Sequence, residues 1–175
     1  MSIANQMPHT ESGITVNFPT PDYYQFEACQ HYKQVSGRSI KEMDFIWYEK
    51  ANKTVWLIEL KGFFDPNNEK HQPTDLSIKE VIEKKLNELE TKAIHSLIML
   101  TTKRTQLHTC VDFNLTRQKI KIAFVLEMVP QQVSYLTYIS DTLKDRIKTY
   151  ATLFDIESII VVNQTIGKAA GIKWL

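Results

Sequence analysis

Three residues in the amino-terminal half of the chain could together bind a divalent cation and a phosphate. Glu59 and Lys61 end an apolar run, and Asp44 opens an earlier one, with fourteen residues between Asp44 and Glu59. Alternate residues of a strand point to the same face, so Glu59 and Lys61 would lie about 6–7 Å apart on one side. Desolvating a carboxylate and an ammonium costs free energy, which indicates a chemical role for this pair.

The chemistry that these residue types suit is metal-dependent hydrolysis of a phosphodiester. Two carboxylates on paired strands, Asp44 and Glu59, suit Mg²⁺, with Mn²⁺ as a substitute, and the backbone carbonyl of Leu60 could add an oxygen ligand. Without a cation the two anions would repel each other, and one of them would bind a proton. Lys61 could orient the attacking water or stabilise the growing charge of the phosphate, and a bound metal lowers the pKa of its water.

Composition predicts a single globular domain. The 175 residues are 43% hydrophobic and 23% charged, which suits one domain with one substantial core. We expect residues 1–12 to form a flexible tail and residues 13–175 to form the domain. A formal net charge of +1 provides no overall field that would attract nucleic acid, so any basic surface must come from local clustering.

The chain lacks the patterns typical of export or of a membrane span. Its first residues contain no basic segment followed by an apolar one, and no apolar stretch approaches the roughly 20 residues that a membrane helix needs. The two cysteines, Cys29 and Cys110, form no CxxC pair. We therefore expect a cytoplasmic protein with two reduced thiols and no membrane partner.

Hydrophobic periodicity predicts an α/β fold, with one mixed central sheet flanked by helices. Two runs rich in aromatic and branched residues, 44–49 and 55–61, are joined by a short connection, which is typical of a β-hairpin. The predicted strands are 14–18, 44–49, 55–61, 119–127 and 158–162, and the predicted helices are 22–34, 76–99 and 134–154. We expect a loop at 62–75 and an irregular segment at 101–118.

The clearest predicted helix, 76–99, has apolar residues at three- and four-residue intervals, which indicates one buried face. Its Glu88 and Lys92 are spaced and oriented to form an ion pair, and we expect both on the solvent-exposed face. The helix follows the strand of Glu59 and Lys61, and this context makes those two residues more informative than the short motif alone.

In this order of elements, the segment 23–127 resembles the PD-(D/E)xK nuclease superfamily, whose members have the restriction-endonuclease-like fold. That family places an acidic residue on a first helix, an aspartate at the start of one strand, and the (D/E)xK motif on the next. A helix and another strand complete its core. The matching positions in this chain are Glu27, Asp44 and the Glu59-Leu60-Lys61 triplet.

The resemblance implies a Mg²⁺-dependent endonuclease with DNA as the favoured substrate. Asp44 and Glu59 would hold the metal together with the Leu60 carbonyl, and Lys61 would act on the water or on the scissile phosphate. Glu27 would support them from the first helix.

Two features depart from the pattern of that family. Met43 stands where the name of the family has a proline. Only about ten residues separate the predicted first helix from Asp44. The first strand of the family would therefore have to be very short here, around 38–40, or be replaced by the strand at 14–18.

A local cluster of positive charge surrounds the predicted irregular segment and could contact a phosphate backbone. It comprises Lys103, Arg104, Arg117, Lys119 and Lys121. Alternatively, Lys103 and Arg104 merely complement the negative end of the preceding helix. Cutting of both DNA strands by so small a chain would suggest a homodimer, and membership of a larger complex is the other option.

Other interpretations remain open from the sequence. Asp44 and Lys61 could form a surface salt bridge across the hairpin, with Glu59 solvated on an edge strand, and such pairs contribute little to stability. The chain could instead keep a nuclease-like fold without activity, as a nucleic-acid-binding or protein-binding subunit of a larger complex. It could also be an unrelated α/β scaffold.

Overall fold

A five-stranded mixed sheet organises the chain. The computed structural model describes residues 8–35, 39–63, 75–101 and 118–175. Within these ranges a separate two-stranded hairpin precedes the sheet, and helices flank it. The strands are β1 (His9–Glu11), β2 (Ile14–Val16), β3 (Tyr23–Gln25), β4 (Phe45–Glu49), β5 (Thr54–Gly62), β6 (Lys119–Glu127) and β7 (Ile156–Val162), and the helices are α1 (Gln30–Val35), α2 (Asp75–Thr101), α3 (Leu136–Leu153) and α4 (Gln164–Ala169).

The order of the sheet is β3-β4-β5-β6-β7, which places β5 at its centre. Strands β3, β4 and β5 are antiparallel neighbours, whereas β5, β6 and β7 run parallel. Parallel neighbours need crossover connections, which contain α2 and α3 here. Because β5 has a strand on each side and a packed layer on each face, residues 54–60 are all buried.

The two faces of the sheet pack against different parts of the chain. Val55 and Leu57 of β5 belong to the core cluster that includes residues of α2 and α3. Trp56, between them, belongs to a second cluster formed with β2 and the carboxyl-terminal segment. Because side chains alternate along a strand, Glu59 and Lys61 lie on the face that α2 covers.

Most of the predicted elements are confirmed, with ends that differ by no more than two residues. Strands β4 and β5 form the predicted hairpin, and β6 has the predicted bounds. Strands β2 and β7 and helices α2 and α3 overlap their predicted ranges. The predicted loop and the predicted irregular segment lie mostly outside the described residues. The fold is therefore the expected mixed α/β sheet flanked by helices.

The predicted helix at 22–34 is wrong in its first part. Residues 23–25 form β3, which pairs with β4, and a 3-10 turn at Phe26–Ala28 separates it from the short helix α1. Hydrogen bonding to a neighbouring strand outweighs the weak helical preference of so short a segment. Strand β3, rather than 14–18 or 38–40, is the neighbour of β4 in the sheet.

The expectation of a flexible tail at 1–12 is wrong for residues 9–11, which form β1. A two-residue turn at Ser12 and Gly13 joins β1 to β2, and both residues have positive φ, 51° and 78°. Such a turn suits the twist of a tight hairpin. The tip of this hairpin approaches β5, because a Cβ added to Gly62 would lie 3.5 Å from the Cβ of Ser12.

One cysteine and the helices bear on the expected cellular setting. Cys29 is disulfide-bonded, so the expectation of a reduced thiol there is wrong, and Cys110 lies outside the described residues. In the part of the chain that the structure describes, no helix has the length and apolar character needed to cross a membrane. The cytoplasmic location stays a prediction.

Candidate metal centre

Asp44 and Glu59 meet across the hairpin of β4 and β5. Phe45 pairs with Ile58 at the start of β4, so Asp44, one residue earlier, stands opposite Glu59. The backbone N–H of Leu60 donates a hydrogen bond of 2.7 Å to Asp44 Oδ2. This bond fixes the Asp44 carboxylate against the strand that carries Glu59.

The Glu59 side chain is fully buried, and the cation that contacts it comes from α2. Lys92 Nζ lies 2.6 Å from Glu59 Oε1 and 3.5 Å from Asp44 Oδ1. These two oxygens can therefore be no further apart than the sum of the two contacts, about 6 Å. Glu59 Oε2 is buried and accepts no hydrogen bond from the described residues. The pair of carboxylates thus surrounds a position that a positive charge already occupies.

Burial raises the pKa of both carboxyl groups, and for Glu59 the charge of Asp44 adds to the effect. Burial, with the negative charge of Asp44 added to it, raises the pKa of Glu59 from 4.5 to about 8, although Lys92 opposes the shift. Burial also raises the pKa of Asp44, against the effects of Lys92 and the Leu60 N–H. Burial alone would lower the pKa of Lys92. The charges of Glu59 and Asp44 outweigh this effect, and the pKa of Lys92 is raised. A cation between the carboxylates is what allows both to be charged.

Lys61 lies on the same face as Glu59 and is held by α2. Its Nζ is 2.9 Å from Glu88 Oε1, and its side chain is 22% exposed. Burial alone would raise the pKa of Glu88. The hydrogen bond and charge of Lys61 outweigh this effect, and the pKa of Glu88 is lowered. The alternative of a surface salt bridge between Asp44 and Lys61 is wrong, because Glu59 is buried on the central strand and Lys61 pairs with Glu88 instead.

The prediction that Glu88 and Lys92 lie on the solvent-exposed face of their helix is also wrong. Both side chains of α2 point to the sheet, and each pairs with a residue of β5 rather than with the other. The spacing of four residues was compatible with an ion pair within the helix. The buried carboxylate of Glu59, however, requires a cation, and α2 supplies it.

Glu27 lies on a 3-10 turn rather than on the predicted first helix, and its supporting role stays a prediction. It lies exposed on the 3-10 turn after β3. Its charge is one of several that act on Glu11 of β1. Burial, followed by the charge of Asp44, raises the pKa of Glu11, while Lys92 and Lys61 oppose this. Glu11 was missed because its segment was expected to be a tail.

The described members of the predicted basic cluster lie away from the carboxylates. Lys119 pairs with Thr54 and Lys121 with Trp56 in the register of β5 and β6, so both lie on the sheet face opposite Glu59. Lys121 Nζ lies 5.1 Å from the centroid of the Trp56 ring. Lys103, Arg104 and Arg117 fall outside the described residues. A role of this cluster in binding phosphates stays a prediction.

The oxygen atoms of the site suit a hard divalent cation. The N–H and C=O of a strand residue point to the same neighbour, so the Leu60 carbonyl lies on the Asp44 side, as its N–H does. Two carboxylates and one carbonyl leave room for the waters that Mg²⁺ retains. Within the described ranges, no three His, Cys, Asp or Glu side chains converge as metal ligands. The protein would therefore supply only part of the coordination shell.

Comparison of the chain with protein-family models, with curated proteins and with solved structures finds no match. Only the residues and their geometry therefore bear on function. They bring Asp44, Glu59 and Lys61 to one place and add Lys92, Glu88 and Glu11, which the sequence had not assigned to it.

Proposed function

We propose that this protein is a metal-dependent nuclease that hydrolyses phosphodiester bonds, with DNA as its favoured substrate. The observation that carries the proposal is a pair of carboxylates, the fully buried Glu59 and Asp44 with 11% of its side chain exposed, arranged around a cation position beside Lys61. A scaffold has no need of a buried carboxylate beside a second, largely covered one, because apolar side chains of the same size would cost less to bury.

The order of the elements supports the same proposal. Asp44 directly precedes β4, the Glu59-Leu60-Lys61 triplet lies on β5, and α2 and β6 follow. This is the arrangement that the resemblance to the PD-(D/E)xK nucleases implies. Lys92 Nζ contacts both carboxylates, so the two contacting oxygens lie at most about 6 Å apart. One ion with oxygen–metal distances of about 2.0–2.6 Å spans up to about 5 Å, so the two oxygens would have to approach each other by about 1 Å at most for one ion to contact both.

In the proposed reaction, the oxygen of a water molecule bonds to phosphorus, and the bond from phosphorus to one sugar oxygen breaks. The departing oxygen takes up a proton. A bound Mg²⁺ would lower the pKa of the attacking water and neutralise charge on the phosphate. Asp44, Glu59 and the Leu60 carbonyl would hold the ion. The Lys61 ammonium, once exchanged from Glu88 to a phosphate oxygen, would stabilise the growing negative charge there.

A second candidate function is a non-catalytic nucleic-acid- or protein-binding module. The observation that favours it is the position of Lys92, whose ammonium already contacts both Asp44 and Glu59 without a metal. An active enzyme would have to move Lys92 Nζ aside when Mg²⁺ binds. A non-catalytic module would leave it in place permanently, within a homodimer or a larger complex.

Cleavage assays separate these two functions. The purified protein is incubated with supercoiled DNA, single-stranded DNA and RNA in the presence of Mg²⁺, Mn²⁺ or a chelator. We expect DNA cleavage with either metal, and a loss of about 100-fold or more in Asp44→Asn, Glu59→Gln and Lys61→Met. Calorimetry on the same proteins measures Mg²⁺ binding.

Two matched controls remove a carboxylate and an ammonium elsewhere on the surface. Asp145→Asn and Lys148→Met alter exposed side chains of α3, and both variants should cleave within twofold of wild type. Wild-type protein that neither cleaves any substrate nor binds Mg²⁺ would exclude the nuclease. Binding of DNA without cleavage or metal binding would establish the non-catalytic module.

A further inference from the structure

Two side chains of α2 hold the backbone that leads into Asp44. The N–H of Met43 donates a hydrogen bond of 2.9 Å to Ser96 Oγ, and the N–H of Lys41 donates one of 3.1 Å to His95 Nδ1. Strand β4 begins only at Phe45, so residues 41–44 have no place in the ladder of the sheet. The path of this segment therefore depends on side chains rather than on strand pairing.

Ser96 is an unusual residue for its position in the core. Among the described residues, the buried polar or charged ones are Thr54, Glu59 and Ser96, and Ser96 has no exposed surface. Its neighbours on the same stripe of α2, Ala93 and Leu97, are buried and apolar. An apolar residue would pack equally well here. The hydroxyl is explained by the hydrogen bond that it accepts from the buried N–H of Met43.

Helical spacing places this contact on the same side of α2 as the site. Lys92 precedes Ser96 by four residues, which is one turn, and Glu88 precedes Lys92 by four more. Along this stripe, Glu88 contacts Lys61, Lys92 contacts the two carboxylates, and Ser96 contacts the residue before Asp44. One rigid helix thus fixes both strands of the hairpin at the point where the carboxylates meet.

We infer that Ser96 is a positioning residue for Asp44, with His95 as a second tie on the same segment. This inference deepens the proposed function and rests on it, because the purpose of the positioning is cation binding by Asp44 and Glu59. A ligand group must be held to within about 0.5 Å for a metal site to keep its affinity. Ser96 sets that position one residue away, through the backbone of Met43.

The test uses a signal that reports on Asp44 without any metal. The Leu60 amide is bonded to Asp44 Oδ2, so its hydrogen exchange measures how firmly that carboxylate is held. Exchange is compared in the full-length wild type, Ser96→Ala, His95→Phe and Ile147→Val. The last variant removes one methylene from a buried residue of α3 and controls for a general loss of stability. Mg²⁺ affinity is measured by calorimetry on the same four proteins.

In each variant the exchange rate of the Leu60 amide is first divided by the rates of other amides of β5. We expect this normalised rate to be at least tenfold higher in Ser96→Ala than in Ile147→Val. Mg²⁺ affinity should fall by about three- to tenfold in Ser96→Ala, by less in His95→Phe, and by less than twofold in Ile147→Val. His95 is only half-buried, so His95→Phe keeps the inference testable if Ser96→Ala does not fold.

Two results would overturn the inference. In the first, the Leu60 amide exchanges in Ser96→Ala and His95→Phe at the same rate as in Ile147→Val. In the second, Leu60 exchange is faster in these variants but their Mg²⁺ affinity is unchanged. A different result would overturn the proposed function alone: faster Leu60 exchange in Ser96→Ala together with no Mg²⁺ binding by the wild type. In that case Ser96 positions Asp44 for its ion pair with Lys92.

Discussion

Two clusters of carboxylates and lysines lie on opposite faces of the sheet, and they differ in burial rather than in bond length. In the candidate metal centre, Lys92 lies 2.6 Å from Glu59, whose side chain has no exposed surface. In the second cluster, Lys119 lies 2.6 Å and Lys121 3.3 Å from Glu157, whose side chain is 35% exposed. The shortest contacts of the two clusters are therefore the same length.

The two glutamates respond to these contacts in opposite directions. The hydrogen bond from Lys119, with a smaller effect from Lys121, lowers the pKa of Glu157. Burial raises the pKa of Glu59 to about 8 in spite of Lys92. Solvent screens the exposed pair, whereas the buried carboxylate loses more by desolvation than one lysine returns. A short salt bridge therefore indicates a functional site only where desolvation has made the charges costly.

The largest expected effect concerns the pH dependence of stability. Between pH 4.5 and about 8, Glu59 keeps its proton in the folded state but has released it in the unfolded state. The stabilisation that protonated Glu59 contributes is therefore fully present below pH 4.5 and is lost as the pH rises to 8. We expect Glu59→Gln to gain stability relative to wild type across this window, by on the order of 4 kcal/mol. Urea unfolding at several pH values measures the difference.

The matched variant for this experiment is Glu157→Gln. Because the pKa of Glu157 is lowered, its contribution to stability is constant above pH 5 and is lost only in acid, so the curve of this variant should run parallel to that of wild type above pH 5. A Glu59→Gln curve parallel to wild type over the whole window would show that Glu59 is ionised throughout, and the contrast between the clusters would then fail.

The next effect is the cost of removing each lysine. Lys92→Met leaves Asp44 and Glu59 without their cation, so we expect a loss of about 3–4 kcal/mol at pH 8 and a smaller one at pH 5, where Glu59 is protonated. Lys119→Met should leave the free energy of unfolding unchanged within error, because its side chain is 61% exposed. Equal losses in the two variants would contradict the comparison.

The smallest of the three effects is a coupling between proton and metal. Glu59 must lose its proton to bind Mg²⁺, so affinity should rise by up to about tenfold per pH unit between pH 6 and 8. Calorimetry in buffers of different ionisation enthalpy should detect the released proton. In Glu59→Gln, any residual binding should not depend on pH in this range, and a slope as steep as that of wild type would assign the proton to another group.

The fold was largely predictable where one pattern dominates the local sequence. The apolar runs of β4, β5 and β6 and the long stripe of α2 each extend over enough residues to exclude other structures. The short segments were harder. Residues 23–25 became a strand because β4 offered hydrogen-bonding partners, which no local pattern reveals. For β1 a partial signal did exist, because the Ser12-Gly13 dipeptide directly before the alternating residues of β2 is typical of a tight turn.

Of the candidate site, the residues on strands could be predicted from the sequence, and those on α2 could not. Asp44, Glu59 and Lys61 could be found from spacing along two strands, since strand alternation fixes their direction. The role of Lys92 could not, because it depends on which side of α2 covers Glu59. Charged residues on a helix are usually solvated, and that rule placed Lys92 and Glu88 on the wrong face.

The contacts that hold the amino-terminal hairpin join parts of the chain that are far apart in sequence. Asn17 donates its N–H to the Trp174 carbonyl at 2.8 Å, and Gln164 Nε2 donates to the Thr15 carbonyl at 2.7 Å. Closing loops of this length costs more chain entropy than closing the hairpin of β4 and β5. The strands beside Asp44 and Glu59 can thus pair through local contacts, whereas the hairpin that brings Glu11 near them is set in place only when distant segments of the chain meet.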